Sequence, residues 1–234
     1  MLQNSFQMKQ INDRFNVSNT IIMVVILSLS IPLNSQTVAD ESRPQFLFTD
    51  FVKSEVTLKN KKVEILKLNY NTISEKMVFE LDSNLYEIVY PGLVDTIYMQ
   101  DCKFIPVVNV FYEVLHVAPI SLFVQHKSKL LPPGKQAGYG VTSQTSNTRE
   151  LSSIQRTTGA YNLKLASDYT VKAYPVFWIR IDNIWNSFIN ERQFLKIFPE
   201  KGGELKQFIK QNRIKFDNQS NLVKLVEHCN NLNQ

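Results

Sequence analysis

Between Phe46 and Leu130 the chain is a succession of short apolar or alternating runs, cut by polar turn residues and never interrupted by a helical period. Glu55 to Leu58 leads into Asn60-Lys61-Lys62, and Val63 to Leu68 returns, which predicts a hairpin with one apolar face. Met77 to Leu81 and Leu85 to Val89 flank Asp82-Ser83-Asn84, residues that tolerate tight backbone turns. Thr96 to Met99, Phe104 to Val108, Val110 to Leu115 and Ile120 to Leu130 continue the series. Charged residues alternate with apolar ones in several runs, as expected of a sheet with one wet face. Strands at this spacing without intervening helices exclude a Rossmann-type parallel fold. The expected class is α+β and mainly β: an antiparallel sheet or open barrel followed by short C-terminal helices.

A break follows this β-rich body of 36–131. The segment 132–160 holds Gly134, Gly138, Gly140 and Gly159, four of the seven glycines, and nine of the eighteen residues of 141–158 are Ser or Thr. Such a stretch buries too little to offset the entropy of ordering, so a long exposed loop is expected. Strand character resumes over 161–189, at Tyr161 to Leu165 and Tyr169 to Ile179, with a hairpin turning at Asp182-Asn183 that brings Trp178 and Trp185 together. From 190 to 234 the period becomes helical. Asn190 is placed to cap a helix carrying Phe194, Leu195 and Phe198, which Pro199 ends. Glu204 to Asn212 sets Leu205, Phe208 and Ile209 on one stripe; Asp217 or Ser220 caps a last helix with Leu222, Val223, Leu225 and Val226 inward. Helices this short are unstable alone in water and must dock, most simply on the preceding sheet.

Ile21 to Ile31 is an uncharged apolar run, preceded by Lys9 and Arg14 and followed by Pro32 and small polar residues. A basic flank, a short apolar core and a polar cleavage region describe a secretory signal peptide over 1–35, with cleavage after Ser35 or as late as Ala39. As a helix the run rises only ~16 Å, short of the ~30 Å hydrocarbon core, so a retained anchor is the alternative reading. The expected location is extracytoplasmic, periplasmic or secreted, with membrane contact only through an uncleaved leader. Both cysteines, Cys102 and Cys229, follow that segment. An oxidising compartment permits a bridge, which closing so long a loop would contribute ~5 kcal/mol on the chain-entropy model. Two buried free thiols are the alternative.

The segments LKLNYNTISEKMVFEL ending at Leu81, GYGVTSQTSNT (138–148) and QFLKIFPEKGGELKQFIKQNRIKF (193–216) resemble those of uncharacterised exported proteins of Gram-negative bacteria. That resemblance implies a signal peptide, a β-rich body and a short Lys-rich helical tail; it implies no activity and transfers no functional residue.

Signatures of catalysis are absent. Gly134-Lys135-Gln136-Ala137-Gly138-Tyr139-Gly140 departs from a phosphate loop, which needs four residues between its glycines and then Gly-Lys-Ser/Thr opening a helix. No Gly-x-Ser-x-Gly elbow occurs, and the adjacent His228 and Cys229 diverge by about 100° on a helix. Glu113 and His116, three apart on a strand, are expected on opposite faces; His116 and His126 meet only if the chain turns at Ala118-Pro119. A zinc site there would need a third ligand from Glu113, Asp101 or Asp95, and the usual ligand spacing is missing. These carboxylates read as members of solvated strand faces. No catalytic residue, metal ligand or cofactor is assigned.

The net charge is +5, and residues 191–224 carry eight Lys/Arg against four Asp/Glu, so the excess is concentrated in the tail. A basic face attracts anionic envelope polymers weakly and with strong salt dependence, or simply aids solubility. Nucleic acid is not an expected partner, since no recognition motif is present. Tyr174, Phe177, Trp178, Trp185 and Phe188 form either a sugar- or peptide-binding platform or a packed core. The expected function is a non-enzymatic envelope binding or structural module. Its partner would be an envelope protein or anionic envelope polymer, and its contact candidates are Lys135, Tyr139 and Arg149 on the polar loop. The alternatives are an extracytoplasmic hydrolase built around Asp101, Glu113, His116 and His126, and a membrane-held protein retaining its leader.

Overall fold

The computed structural model of the protein describes residues 43–131, 135–137, 141–143 and 169–232. The apolar leader, Tyr139, Arg149 and the expected strand Tyr161 to Leu165 lie outside the described residues. Among the described residues no helix is long and apolar enough to cross a membrane.

Four strands, β1 (Val52–Leu58), β2 (Val63–Asn71), β3 (Lys76–Leu81) and β4 (Asn84–Glu87), form a first antiparallel meander. The chain then passes a 3-10 turn at Pro91–Leu93 and crosses to the free side of β1. There β5 (Val94–Met99), β6 (Cys102–Val107), β7 (Val110–His116) and β8 (Ser121–Gln125) form a second meander. After β9 (Ser128–Leu131), β10 (Lys135–Ala137), β11 (Val141–Ser143) and β12 (Thr170–Ala173), the hairpin β13 (Val176–Ile181) and β14 (Ile184–Phe188) completes the sheet against β8. The order is β14-β13-β8-β7-β6-β5-β1-β2-β3-β4, ten strands, every pair antiparallel, with β4 and β14 as edges. The sheet is thus open and not a closed barrel. It curls nonetheless: the Ser128 amide donates to the Thr72 carbonyl at 2.8 Å, and Lys76 Nζ donates to the Asn109 carbonyl at 3.1 Å, bringing the β2–β3 turn against β7 and the β8–β9 junction.

The turns follow from the residues. Asp82 and Ser83 both have positive φ (49° and 62°), as do Asp182 and Asn183 (49° and 64°). Two successive left-handed residues make the type I′ turn whose twist suits a two-residue hairpin. Val107 pairs with Val110 across a two-residue turn in which Val108 alone has positive φ, 57°. The segment 132–160 contains an element the composition does not suggest: Lys135 pairs with Ser143 and Ala137 with Val141 in a short antiparallel ladder. Val141-Thr-Ser is β-prone locally, and a hairpin needs no burial to satisfy its own backbone.

Pleating sorts the side chains. One cross-strand row runs Val56, Ile97, Phe104, Glu113, Val124, Phe177, Phe188, each directly opposite the next. On this inner face the curl of β1–β7 encloses one apolar cluster, with Leu68, Tyr70, Met77, Ile97, Phe104 and Phe111 buried. Three helices cover the other end. They are α1 (Glu191–Ile197), α2 (Gly202–Gln211) and α3 (Gln219–Leu232). Phe194, Leu205, Ile209, Leu222, Leu225 and Val226 from these helices pack on Leu122, Val124, Phe177, Ile179 and Phe188, the docking that their length requires. The Asn190 side chain accepts from the Gln193 amide at 3.0 Å, as the spacing predicts. The last helix is capped by Asn218, whose Oδ1 accepts from the Asn221 amide at 3.0 Å, and not by Asp217 or Ser220. Asn230 anchors α3 to the sheet: its carboxamide accepts from the Ile120 amide and donates to the Ile120 carbonyl, both at 2.9 Å.

Candidate functional site

Two groupings of chemistry-bearing side chains occupy opposite faces of the sheet. The first lies within the inner row. Glu113 is only 8% exposed, flanked by Phe104 and Val124 across the ladder, and His126 Nε2 lies 2.6 Å from its Oε2. The expectation that Glu113 lies on a solvated strand face therefore fails, because strand parity turns it into the seam between the two apolar clusters. Cys102 is the third member. Its thiol is pushed up to about 12 by burial, by its hydrogen bond to Glu113 and by the negative charge of Glu113 and Asp101. A thiol so held is protonated at neutral pH and is a poor nucleophile. Burial likewise drives the Tyr70 hydroxyl well above its ordinary range, with the Glu75 charge adding to it. That hydroxyl has no hydrogen-bond partner among the described residues.

The remaining residues of the hydrolase reading do not join this pair. Asp101 is exposed in the β5–β6 turn, and Asp95 is exposed, its carboxylate 3.9 Å from Lys61. A bulge between Val114 and His116 returns His116 to the face of Glu113, against strict alternation, and His116 Nδ1 then sits 3.9 Å from Glu227 of α3. His116 and His126 lie at opposite ends of β8 and do not meet. His228 stacks flat on Phe208, ring centroids 3.9 Å apart. Among the described residues no group of three or more His, Cys, Asp or Glu side chains is arranged to hold a metal ion. Both cysteines are free: Cys229 is buried in the helix-covered cluster and Cys102 borders the other, so the bridged alternative is not what the structure has.

The second grouping is on the outer face, which no described helix covers. The pair β8–β13 continues past Gln125 and Val176 into the pair β9–β12, with the Tyr174 amide donating to the Lys127 carbonyl at 2.8 Å between them. Along this ribbon every second residue points outward. One strand path presents Arg180, Trp178, Val176, Tyr174 and Lys172; the other presents Ser121, Phe123, Gln125, Lys127 and Lys129. Contacts run along it without a gap. Trp178 Nε1 donates to Gln125 Oε1 at 3.1 Å, and the Gln125 amide donates to Glu75. Glu75 also holds Lys127 at 2.9 Å. Lys129 Nζ lies 4.8 Å from the Tyr174 ring centroid and Lys127 Nζ 6.0 Å.

At the other end Tyr112 stacks on Trp178 (5.4 Å, 22°), Trp185 meets Trp178 at 6.5 Å and 76°, and the Arg180 guanidinium lies 5.2 Å from the Phe123 ring centroid. The aromatic hairpin thus divides by parity: Phe177 and Phe188 are core, whereas Trp178, Trp185 and Tyr174 form the outward platform. Lys172 lies directly opposite Lys129, both exposed, and neither has an acidic partner among the described residues. Like charges facing across a ladder destabilise it, so this pair leaves a local positive field unanswered among the described residues. Of the loop candidates, Lys135 begins β10 opposite Ser143.

The period-2 alternation of Lys172, Tyr174, Trp178 and Arg180 was the signal for this ribbon, and the break at Pro175 obscures it in the sequence. No family model matches the chain, and no curated protein or solved structure is found similar to it.

Proposed function

We propose that the chain is an exported, non-enzymatic binding module of the cell envelope and that the outward aromatic and basic ribbon is its ligand face. The single observation supporting this is the separation of faces. The helices all lie on the inner face, while half-buried Trp178 and Trp185, with Tyr174, Lys129 and Lys172, remain on the outer one. Aromatic side chains with polar ends, at a rigid sheet surface beside cations with no acidic partner among the described residues, are the composition of a recognition surface. The apolar Ile21–Ile31 segment behind Lys9 and Arg14 supports export. The partner is then an envelope component, and its anionic members fit the Lys129–Lys172 pair.

Fractionation of a Gram-negative host producing the full chain tests the reading. The expected product is shortened by the leader, lies outside the cytoplasm and sediments with envelope fragments at low salt. An unprocessed product among cytosolic contents overturns export. A processed product that fails to bind envelope fragments overturns the binding role.

A further inference from the structure

The ribbon assigns its own ligand chemistry. Resting on the binding role proposed above, we infer that it takes an acidic polysaccharide, with sugar rings packed on Trp178 and Tyr174 and carboxylates held by Lys129, Lys172 and Arg180. From Lys172 to Arg180 the strip is about 26 Å long at ~3.3 Å per residue, room for several consecutive sugar rings. Aromatic faces alternate with polar groups along it, and a pyranose presents the matching alternation of apolar C–H face and hydroxyls. At its centre Gln125 and Glu75 bond to each other and to Trp178 and Lys127, which fixes the indole and the neighbouring ammonium in place for a ligand. Trp178 and Trp185 stand at 76° to one another, not as parallel shelves for successive bases. These features favour a glycan over a single-stranded nucleic acid. The cations select an acidic glycan over a neutral one, since Lys129 and Lys172 face each other and neither has an acidic partner among the described residues.

Titration of the purified full chain with polygalacturonate fragments of increasing length, followed by tryptophan fluorescence and calorimetry, tests the inference. Affinity should rise with length until the strip is filled and should fall with salt. Exposed Lys129→Ala/Lys172→Ala, which leaves the packing intact, should weaken binding by roughly tenfold or more. Tyr174→Ala should weaken it comparably, and Trp178→Ala is read beside these two because its loss also removes the Tyr112 stack. Lys206→Ala/Lys210→Ala removes the same charge from exposed positions of α2 and should leave binding unchanged.

A neutral glucan of equal length bound as tightly, or single-stranded DNA bound more tightly through the same residues, overturns the assignment. So does equal weakening by the α2 variant, which would make the attraction generic. The two levels separate cleanly. Envelope retention without polyuronate binding sinks the ligand class alone. Polyuronate binding at the ribbon without envelope retention sinks the envelope role and leaves the ligand class standing.

Discussion

Asn230→Leu removes the clip that holds the last helix to the sheet, and its cost follows from the groups it strands. The Asn230 carboxamide makes the two bonds a neighbouring strand would make to Ile120, accepting from its amide and donating to its carbonyl at 2.9 Å each. Ile120 is 2% exposed, so water does not replace either bond while α3 stays docked. A buried backbone group left without a partner costs ~1–3 kcal/mol, which gives ~2–6 kcal/mol for the two. Leucine returns part of this by apolar contact with Val226 one turn earlier, so a net loss of about 3 kcal/mol is expected. At ~2–4 °C per kcal/mol for a domain of this size the midpoint falls by about 6–12 °C. Thermal and urea unfolding followed by Trp178 and Trp185 fluorescence measure it, and hydrogen exchange at the Ile120 amide should accelerate locally. Because the clip acts on the inner face, ligand binding on the outer ribbon should survive wherever the variant is folded. A loss below about 1 kcal/mol with unchanged Ile120 exchange refutes the reasoning, since two buried groups would then have lost their partners at almost no cost.

Three further outcomes are expected. Val108 has φ 57° at the first position of a two-residue turn and is 84% exposed, so Val108→Gly relieves ~1–2 kcal/mol of backbone strain against ~0.5–1 kcal/mol of chain entropy; a rise in urea midpoint is expected, and a fall contradicts the turn assignment. Cys102 and Cys229 are pushed up to about 12 from 9.0, in both cases chiefly by burial. The unfolded chain therefore loses these protons first, and their contribution, complete below pH 9, is lost as pH rises towards 12. Cys229→Ala should flatten that alkaline slope while lowering stability overall, and an unaltered slope rejects the buried-thiol account. Glu113→Ala leaves His126 without its hydrogen-bond partner at the seam and should cost ~1–3 kcal/mol, whereas Glu113→Leu/His126→Leu should recover most of it in chemical denaturation; a double variant as unstable as the single would mean the pair, and not its isolated members, is what the fold requires.

Local chemistry made much of the fold legible before any packing was considered. Hairpins such as Glu55–Leu58 with Val63–Leu68, and the turns at Asp82-Ser83 and Asp182-Asn183, need only alternation and residues that accept positive φ. The helical tail was readable for the same reason, with Asn190 as its cap. Glu113 was not. Its face is decided by registers on both sides of β7, and its burial by a curl whose visible cause is Thr72 reaching Ser128, 56 residues away. The His116 bulge shows the limit of alternation directly, since one extra residue reverses the face of everything after it. The outer ribbon was half legible: its aromatics were identifiable, but whether each faced core or solvent depended on pairing with Ser121–Gln125.

The two faces answer different physical demands, and that division is why the candidate sites differ in kind. On the inner row an isolated carboxylate amid Phe104 and Val124 is tolerable only with a partner, and His126 and Cys102 supply it from neighbouring strands. Slipping β7 by one residue would turn Glu113 to the outer face and drive Tyr112 into the seam, so the pair penalises the wrong register as well as satisfying the right one. The outer row carries no such obligation. Lys129 opposite Lys172 does nothing for the ladder, and a lone Tyr174 under two ammonium groups buries little. Residues that stabilise neither their strand nor the core are better accounted for by something that binds them. An acidic chain lying along the ribbon would neutralise the facing lysines and cover the half-buried tryptophans together, making this face its point of attachment.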